Sequence, residues 1–298
     1  MNFTKKYLIQ WYKKELSENL YTLPTFNVLS ENKKSEKINT TISSLRNSKI
    51  EELKTYFLNK SDFLNNLLMI HYTSYVVMLE ERNNYRKYGA MDFPRRIGEL
   101  WEPFCRLVFE NSVSNITNVS PKSFEFLKNN ATEQLKFLST FIPIDNSKID
   151  KYKEALTFTT NFINIFDSMA IQLKLDLHIK CDYITYNIDF KSGFNSNEKG
   201  NTNRLLMVGE IYSTFFKNNK CLLLCRTEEE GNNHYLQTIK NSNQWDVFCG
   251  IDAYNEIERL TLFPIKKWID ENIDWTNDIS IEFYNHLLAN NLLDYLNW

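Results

Sequence analysis

The stretch KLDLHIKCDYITYNIDFKSGF, residues 174–194, most constrains how this chain can fold. Apolar and polar residues alternate along it with a period of two, which is the pattern of a half-buried β-strand. A turn is expected near Cys181 and Asp182, between two alternating runs. The stretch therefore predicts a β-hairpin with strands at 175–180 and 183–191.

The rest of the chain predicts helices before this hairpin and helices alternating with strands after it. Apolar residues at helical spacing cover much of the first ninety residues, with an irregular segment expected at 20–45 and Ser61 expected as a helix N-cap. After the hairpin the sequence predicts a helix, the strands KCLLLC and QWDVFC, and another helix. The predicted fold class is α/β, with a central mixed β-sheet flanked by helices. A helical amino-terminal segment at 1–90 is expected to continue into 91–298 as one domain.

Composition narrows the class of protein. The chain has 298 residues, 43% of them hydrophobic and 24% charged, which is enough to bury a sizeable core. Its net charge of −2 disfavours a protein that coats nucleic acid without sequence preference, since such proteins are usually basic. A nuclease is still compatible with this charge, because acidic site residues offset basic residues elsewhere.

Cysteine usage and hydropathy indicate the compartment. The five cysteines are odd in number and irregular in spacing, which favours reduced thiols over disulfides or a zinc site. No window approaches the roughly 20 apolar residues of a membrane span. We therefore expect a cytoplasmic protein without a membrane partner.

The end of the hairpin carries the candidate chemistry. Side chains alternate faces along a strand, so Asp189 and Lys191 share one face while Ile188 and Phe190 point to the other. Asp176 begins the partner strand and is expected nearby. Two carboxylates and a backbone carbonyl, here that of Phe190, suit Mg2+, which prefers oxygen ligands and keeps several waters. Lys191 would then orient or deprotonate a metal-bound water, or hold charge at an attacked phosphate.

This arrangement resembles the PD-(D/E)xK nuclease superfamily, the fold of most Type II restriction endonucleases. The resemblance lies in Asp176, twelve intervening residues and then Asp189-Phe190-Lys191, and in the order helix, hairpin, helix, strand over about residues 91–255. The family often has an acid on the preceding helix, and IGELWEPFCRLVF offers Glu99 and Glu102. The family's first acid often follows proline, whereas here it follows Leu175.

The resemblance implies a function. It implies a Type II restriction endonuclease from a prokaryotic cell that hydrolyses double-stranded DNA at a specific sequence with Mg2+, acting as a homodimer. Asp176, Asp189, Lys191 and Glu102 would be catalytic, and the metal ligands would be Asp176, Asp189, the Phe190 carbonyl and either Glu102 or Glu99. A repair, recombination or transposition nuclease of the same superfamily is the alternative enzyme. A DNA-binding or interaction protein without catalysis is the alternative of another class.

Basic and amide side chains near this site are candidates for DNA contact, because they bind phosphates and base edges. The candidates are Asn195, Asn197, Lys199, Asn201, Asn203, Arg204, Arg226, Arg86, Lys87, Arg95 and Arg96. The segments that contain them also suit ordinary structural roles. Residues 195–204 suit a polar loop with Thr202 or Asn203 capping the next helix, and residues 82–96 suit a solvated helix end.

The proposed site residues have ordinary interpretations too. Asp189 and Lys191 suit a surface ion pair of small energetic value. Asp176 suits a strand start, and Glu99 and Glu102 suit acids in the first turn of a helix. The phosphate-binding, dinucleotide-binding and hydrolase motifs G-x-x-x-x-G-K-[ST], G-x-G-x-x-G and G-x-S-x-G do not occur in the sequence.

Overall fold

The computed structural model describes residues 3–56, 58–130, 133, 149–168, 172–194 and 198–298. Over these residues the chain is an α/β protein, mostly helical, with a five-stranded mixed sheet. The helices are α1 (Lys5–Asn19), α2 (Pro24–Asn27), α3 (Glu31–Lys54), α4 (Lys60–Tyr85), α5 (Asp92–Glu110), α6 (Ile149–Ser168), α7 (Lys199–Phe215), α8 (His234–Lys240), α9 (Ile251–Thr261), α10 (Ile265–Asn272), α11 (Trp275–Asp278) and α12 (Ile281–Ala289). Residues 124–130 are also helical. The strands are β1 (Ile116–Asn118), β2 (Leu177–Cys181), β3 (Ile184–Lys191), β4 (Asn219–Cys225) and β5 (Trp245–Cys249).

The sheet follows the chain order, β1-β2-β3-β4-β5. β1, β2 and β3 are antiparallel neighbours, whereas β3, β4 and β5 run parallel. The predicted hairpin is confirmed, with Cys181 paired to Ile184 across the turn. Asp182 in that turn has a φ of 52°, a conformation that aspartate tolerates well.

The two faces of the sheet pack against different hydrophobic cores. Ile188 and Phe190 of β3 belong to the larger core, with side chains from α1, α3, α4, α5 and the carboxyl-terminal helices. On the opposite face, Leu223 of β4 belongs to a second core with α7 and α8. Asp189 is the register partner of Leu223, and register partners on neighbouring strands point to the same face. Asp189 therefore lies on the face of the second core, as the alternation along β3 predicts.

Three local predictions are wrong. The polar tract expected to be irregular at 20–45 largely forms α3, because Ile38, Ile42 and Leu53 are spaced to bury one stripe of a helix. The N-cap of α4 is Asn59, whose side chain accepts a hydrogen bond from the Asp62 N–H, and not Ser61. Two further residues, Thr202 and Asn203, do not cap α7, since that helix begins at Lys199.

The amino-terminal helices and the sheet share the larger core, in which Leu8, Tyr72 and Ile188 are all buried. The domain boundary near residue 90 stays a prediction. The five cysteines carry free thiols, and His71 and His178 are buried. None of the helices described by the structure is long and apolar enough to cross a membrane.

Candidate active site

The hairpin brings Asp176 to the end of β3. Asp176 is the residue before β2, and its Oδ2 accepts a hydrogen bond of 2.8 Å from the backbone N–H of Phe190. The Lys191 carbonyl accepts from the Arg226 N–H at the end of β4, so the backbone groups of Phe190 point the other way, toward the β2 side. The Phe190 carbonyl therefore faces the same side of β3 as the Asp176 carboxylate.

Asp189 is almost fully buried, at 1% exposure, between two cations. Its Oδ1 lies 2.7 Å from Nζ of Lys191, and its Oδ2 lies 3.2 Å from Nη2 of Arg204 on α7. Both carboxylate oxygens of Asp189 are therefore paired with cationic side chains inside the chain. A buried carboxylate is costly unless it is paired, and here Lys191 and Arg204 together compensate it.

The carboxylates here repel one another. Burial and the negative charge of Asp189 raise the pKa of Asp176, although the Phe190 N–H opposes the rise. Burial and the charge of Asp176 likewise raise the pKa of Glu102 on α5, and Asp189 adds to this effect. A cluster of carboxylates with raised pKa values is typical of functional sites. A bound cation would reduce the repulsion between these carboxylates.

Lys191 remains charged in this setting. Burial lowers the pKa of its ammonium group, but the adjacent Asp189 carboxylate opposes this effect, and Asp176 and Glu198 add to the opposition. The net result is a pKa above the usual value. Lys191 is therefore better suited to hold negative charge or orient a water than to accept a proton at neutral pH.

The two acids predicted on the preceding helix have different surroundings. Glu99 lies 3.3 Å from Nε of Arg95 and 3.0 Å from Nη1 of Arg96, so two guanidinium groups already compensate it. Glu102 makes no ion pair with any described residue, and it is within electrostatic reach of Asp176 and Asp189. The structure thus associates Glu102, rather than Glu99, with the acidic cluster.

The number and kind of oxygen atoms suit a hard divalent cation. In the described ranges, no three histidine, cysteine, aspartate or glutamate side chains are close enough to form a ready ion site. Mg2+ needs only one or two carboxylates, because it keeps several of its waters. Asp176, Asp189 and the Phe190 carbonyl are the oxygen groups that could supply such ligands, and a bound ion would share the Asp189 carboxylate with Lys191 and Arg204.

The predicted DNA-contact residues on α7 divide into two groups. Arg204 donates to Asp189 and also to the Lys174 carbonyl and Oδ1 of Asn201. Lys199 and Asn203 are exposed at the amino-terminal end of the helix. The remaining two candidates of this segment, Asn195 and Asn197, lie outside the described residues.

The other predicted DNA-contact residues are mostly engaged. Arg86 lies 3.7 Å from Asp92, and Arg95 and Arg96 share Glu99. Lys87 is exposed. Arg226 bonds to Ser192 and to two backbone carbonyls near the carboxyl end of the chain. The described members of the set do not form one continuous stripe of unpaired cations.

Sequence reasoning missed the positioning role of His178. The N–H of Leu175 donates to Nε2 of this ring at 2.9 Å, so the ring proton is on Nδ1, which donates to Oδ1 of Asn187 at 2.8 Å. Asn187 in turn donates to the Lys220 carbonyl on β4. The ring therefore fixes the backbone just before Asp176, and its place on an apolar strand was the only signal available beforehand.

Arg204 was also missed as the partner of Asp189. The two residues are fifteen positions apart, and the intervening loop gives no sequence signal for their contact.

No protein-family model, curated protein or solved structure matches this chain.

Proposed function

We propose that this protein is a Mg2+-dependent endonuclease of restriction type that hydrolyses phosphodiester bonds in double-stranded DNA. The observation that supports the proposal is the hydrogen bond from the Phe190 N–H to Asp176, which joins this carboxylate to the strand that bears Asp189 and Lys191. Two acids, one backbone carbonyl and one charged lysine thus meet at the end of one hairpin. The resemblance to the PD-(D/E)xK superfamily agrees with this set of groups.

Each residue has a proposed task. Asp176, Asp189 and the Phe190 carbonyl would hold Mg2+, with Glu102 completing the acidic surroundings. The bound ion would lower the pKa of a water and neutralise charge on the phosphate. Lys191, which keeps its proton at neutral pH, would stabilise negative charge developing on the phosphate oxygens or orient the attacking water. Arg204 would hold the Asp189 carboxylate in position through Oδ2.

Cleavage of supercoiled plasmid in the presence of Mg2+ tests the proposal. Asp189→Asn and Lys191→Ala are expected to lower the cleavage rate at least about 100-fold, because each removes a charge at the reacting centre. Lys220 and Asp246 are a matched control, since they form an exposed ion pair at 3.7 Å on β4 and β5. Asp246→Asn and Lys220→Ala should cleave normally, and full cleavage by both site variants would refute the proposal.

One observation favours a protein without catalysis. Asp189 is buried between Lys191 and Arg204, an arrangement that also suits a structural ion cluster. In that case the wild-type protein would bind DNA, or another partner, without cutting it at any Mg2+ concentration. Discrete plasmid fragments support restriction, whereas cutting at junctions or random positions supports a repair or recombination nuclease.

The partners belong to the same proposal. The resemblance implies a homodimer that places two sites across a short palindrome of double-stranded DNA. Sedimentation equilibrium with and without a DNA duplex measures this directly. A monomer both alone and on its cleavage substrate would remove the dimer from the proposal while leaving the chemistry intact.

A further inference from the structure

A cavity of about 910 Å³ lies at the carboxyl ends of β3, β4 and β5. It is within the size range of small-molecule sites, and the carboxyl ends of parallel strands are where such sites often occur in open sheets. Its walls include Ser192, Arg226, Tyr254, Tyr295 and Trp298. None of the acids assigned to the candidate active site lines it.

The cavity is on the opposite face of the sheet from that site. Ser192 follows Lys191 and lies close to Gly98 of α5. A methyl group added at Gly98 would be only 2.8 Å from the Ser192 Cβ. Tyr254 belongs to α9, which packs on the same larger core. Asp189 and Lys191 face the second core instead. The cavity and the candidate active site therefore lie on different faces of the sheet.

Among the described residues that line this cavity, Arg226 is the cation that has no carboxylate partner. Nε and Nη2 donate to Oγ of Ser192 at 3.2 and 2.9 Å, while Nη1 donates to the carbonyls of Tyr295 and Asn297 at 3.1 and 2.8 Å. All of these acceptors are neutral, and no carboxylate among the described residues is within ion-pair distance. Buried or half-buried cations are usually paired, so this guanidinium is suited to an anion from outside the chain.

Two hydroxyl protons add to this donor set. Ser192 uses its oxygen to accept from Arg226, and Tyr254 uses its oxygen to accept from Nε1 of Trp101 at 2.9 Å. Neither hydroxyl donates to an acceptor in the described part of the chain. A hydroxyl has one proton to give, so both remain available to a ligand. Nε1 of Trp298, on the same wall, is likewise buried without an acceptor.

The other charged groups of the cavity have compensation or lie at its rim. Arg95 is paired with Glu99, and Lys266 with Asp270. Glu228 accepts from the Ile251 N–H at the amino-terminal end of α9, where the helix dipole favours its negative charge. Asp294 is exposed. Arg226 is therefore the cation whose charge is open to an incoming group.

We propose that this cavity binds the phosphate group of a nucleotide, with Arg226, the Ser192 hydroxyl and the Tyr254 hydroxyl as donors. Guanidinium groups bind phosphate through charge-assisted hydrogen bonds. The cavity is much larger than a phosphate ion, and the exposed ring of Tyr295 provides aromatic surface on which a base can stack. The nucleotide is either free or part of a nucleic-acid strand, and both sources present the same chemistry.

Calorimetric titration of the full chain in EDTA, without Mg2+, tests this inference separately from cleavage. The three probes are inorganic phosphate, adenosine 5′-monophosphate and a six-nucleotide single strand. The nucleotide is expected to bind about tenfold more tightly than inorganic phosphate, because base stacking adds affinity. Similar binding of the single strand and the mononucleotide indicates a free nucleotide, and binding of the strand alone indicates a nucleic-acid partner.

Ser192→Ala is the decisive variant, because it removes one hydroxyl and leaves Arg226 with its two carbonyl acceptors. It should weaken binding of every ligand about tenfold, as expected for a hydrogen bond to a charged group. Ser242→Ala is the matched control, since that serine donates to the Ile239 carbonyl of its own turn. Arg226→Lys, checked by thermal unfolding, should weaken binding further.

Asp189→Asn separates this proposal from the nuclease proposal, since it should lose cleavage and retain nucleotide binding. Equal affinity of the wild-type protein and Ser192→Ala would overturn the cavity proposal. So would affinities of both the mononucleotide and the single strand that are no greater than that of inorganic phosphate, or no binding of any probe. Failure of plasmid cleavage alone would leave the cavity result unchanged.

Discussion

The two faces at the end of β3 differ in how their charges are arranged. On one face Asp189 is buried, and each of its carboxylate oxygens is paired with a cation. On the other face Arg226 has only neutral acceptors. Lys191 belongs to the first arrangement and Ser192, the next residue, to the second, because successive side chains of a strand point to opposite faces. The end of β3 thus has a cluster of carboxylates on one side of the sheet and the guanidinium of Arg226 on the other.

The largest expected effect comes from removing the buried acid. Asp189→Ala removes the closest counter-charge of Lys191 and Arg204, which should lower the free energy of unfolding by about 3 kcal/mol. The lysine and arginine side chains are partly exposed, so the loss should lie at the lower end of the cost of breaking a buried ion pair. Urea denaturation measures the loss. A loss no greater than that of Asp246→Asn would show that the two cations do not depend on this acid.

Gly98→Ala should disturb the face that carries Ser192 and Arg226 and spare the face that carries Asp189. The added methyl group would lie 2.8 Å from Cβ of Ser192 and 3.0 Å from its Oγ, so that Ser192 must shift. We expect a loss of about 1 kcal/mol in unfolding free energy, since overpacking is partly offset by the better helix propensity of alanine. Nucleotide binding should fall while plasmid cleavage persists. Parallel loss of both activities would mean that the two faces are coupled.

Asp176→Asn should stabilise the protein while abolishing cleavage. The asparagine oxygen can still accept from the Phe190 N–H, but the repulsion with Asp189 disappears, for a gain of up to about 1 kcal/mol. The gain depends on pH in a defined direction. Because the folded pKa of Asp176 is raised, the wild-type carboxyl contributes its stability below the unfolded value and loses it as pH rises through the folded value.

The measurement for this variant is urea denaturation from about pH 3 to pH 8, without Mg2+. The difference between Asp176→Asn and the wild type should be small at the acidic end and grow as pH rises. A difference that shrinks with rising pH would contradict the raised pKa and the crowding of carboxylates at this site.

The smallest expected effect distinguishes the two acids on α5. Glu102→Gln should raise the Mg2+ concentration needed for half-maximal cleavage by a few-fold, because a nearby negative charge attracts the ion. Glu99→Gln should change it little, since Arg95 and Arg96 already compensate that carboxylate. Cleavage rates over a Mg2+ titration measure both values. The reverse order would assign the metal to Glu99.

Local sequence patterns predicted the hairpin and the shared face of Asp189 and Lys191, because both depend on alternation along a strand. The polar tract that forms α3 was missed, since its helix is stabilised by packing of Ile38 and Ile42 rather than by a strong local pattern. The partnership of Arg204 with Asp189, and of Arg226 with Ser192, depends on how distant segments pack. No periodicity in one segment carries that information.

The ring of His178 has a consequence for backbone motion near Asp176. Leu175 lies outside the ladder of β2, yet its amide is held by this imidazole, which Asn187 anchors to β3 and β4. Its amide hydrogen should therefore exchange with solvent as slowly as those within the strands. Burial lowers the pKa of His178, so the protection should persist until acid protonates the ring and displaces the Leu175 N–H. The backbone next to Asp176 is thus held in place by a neutral imidazole two residues further along the chain.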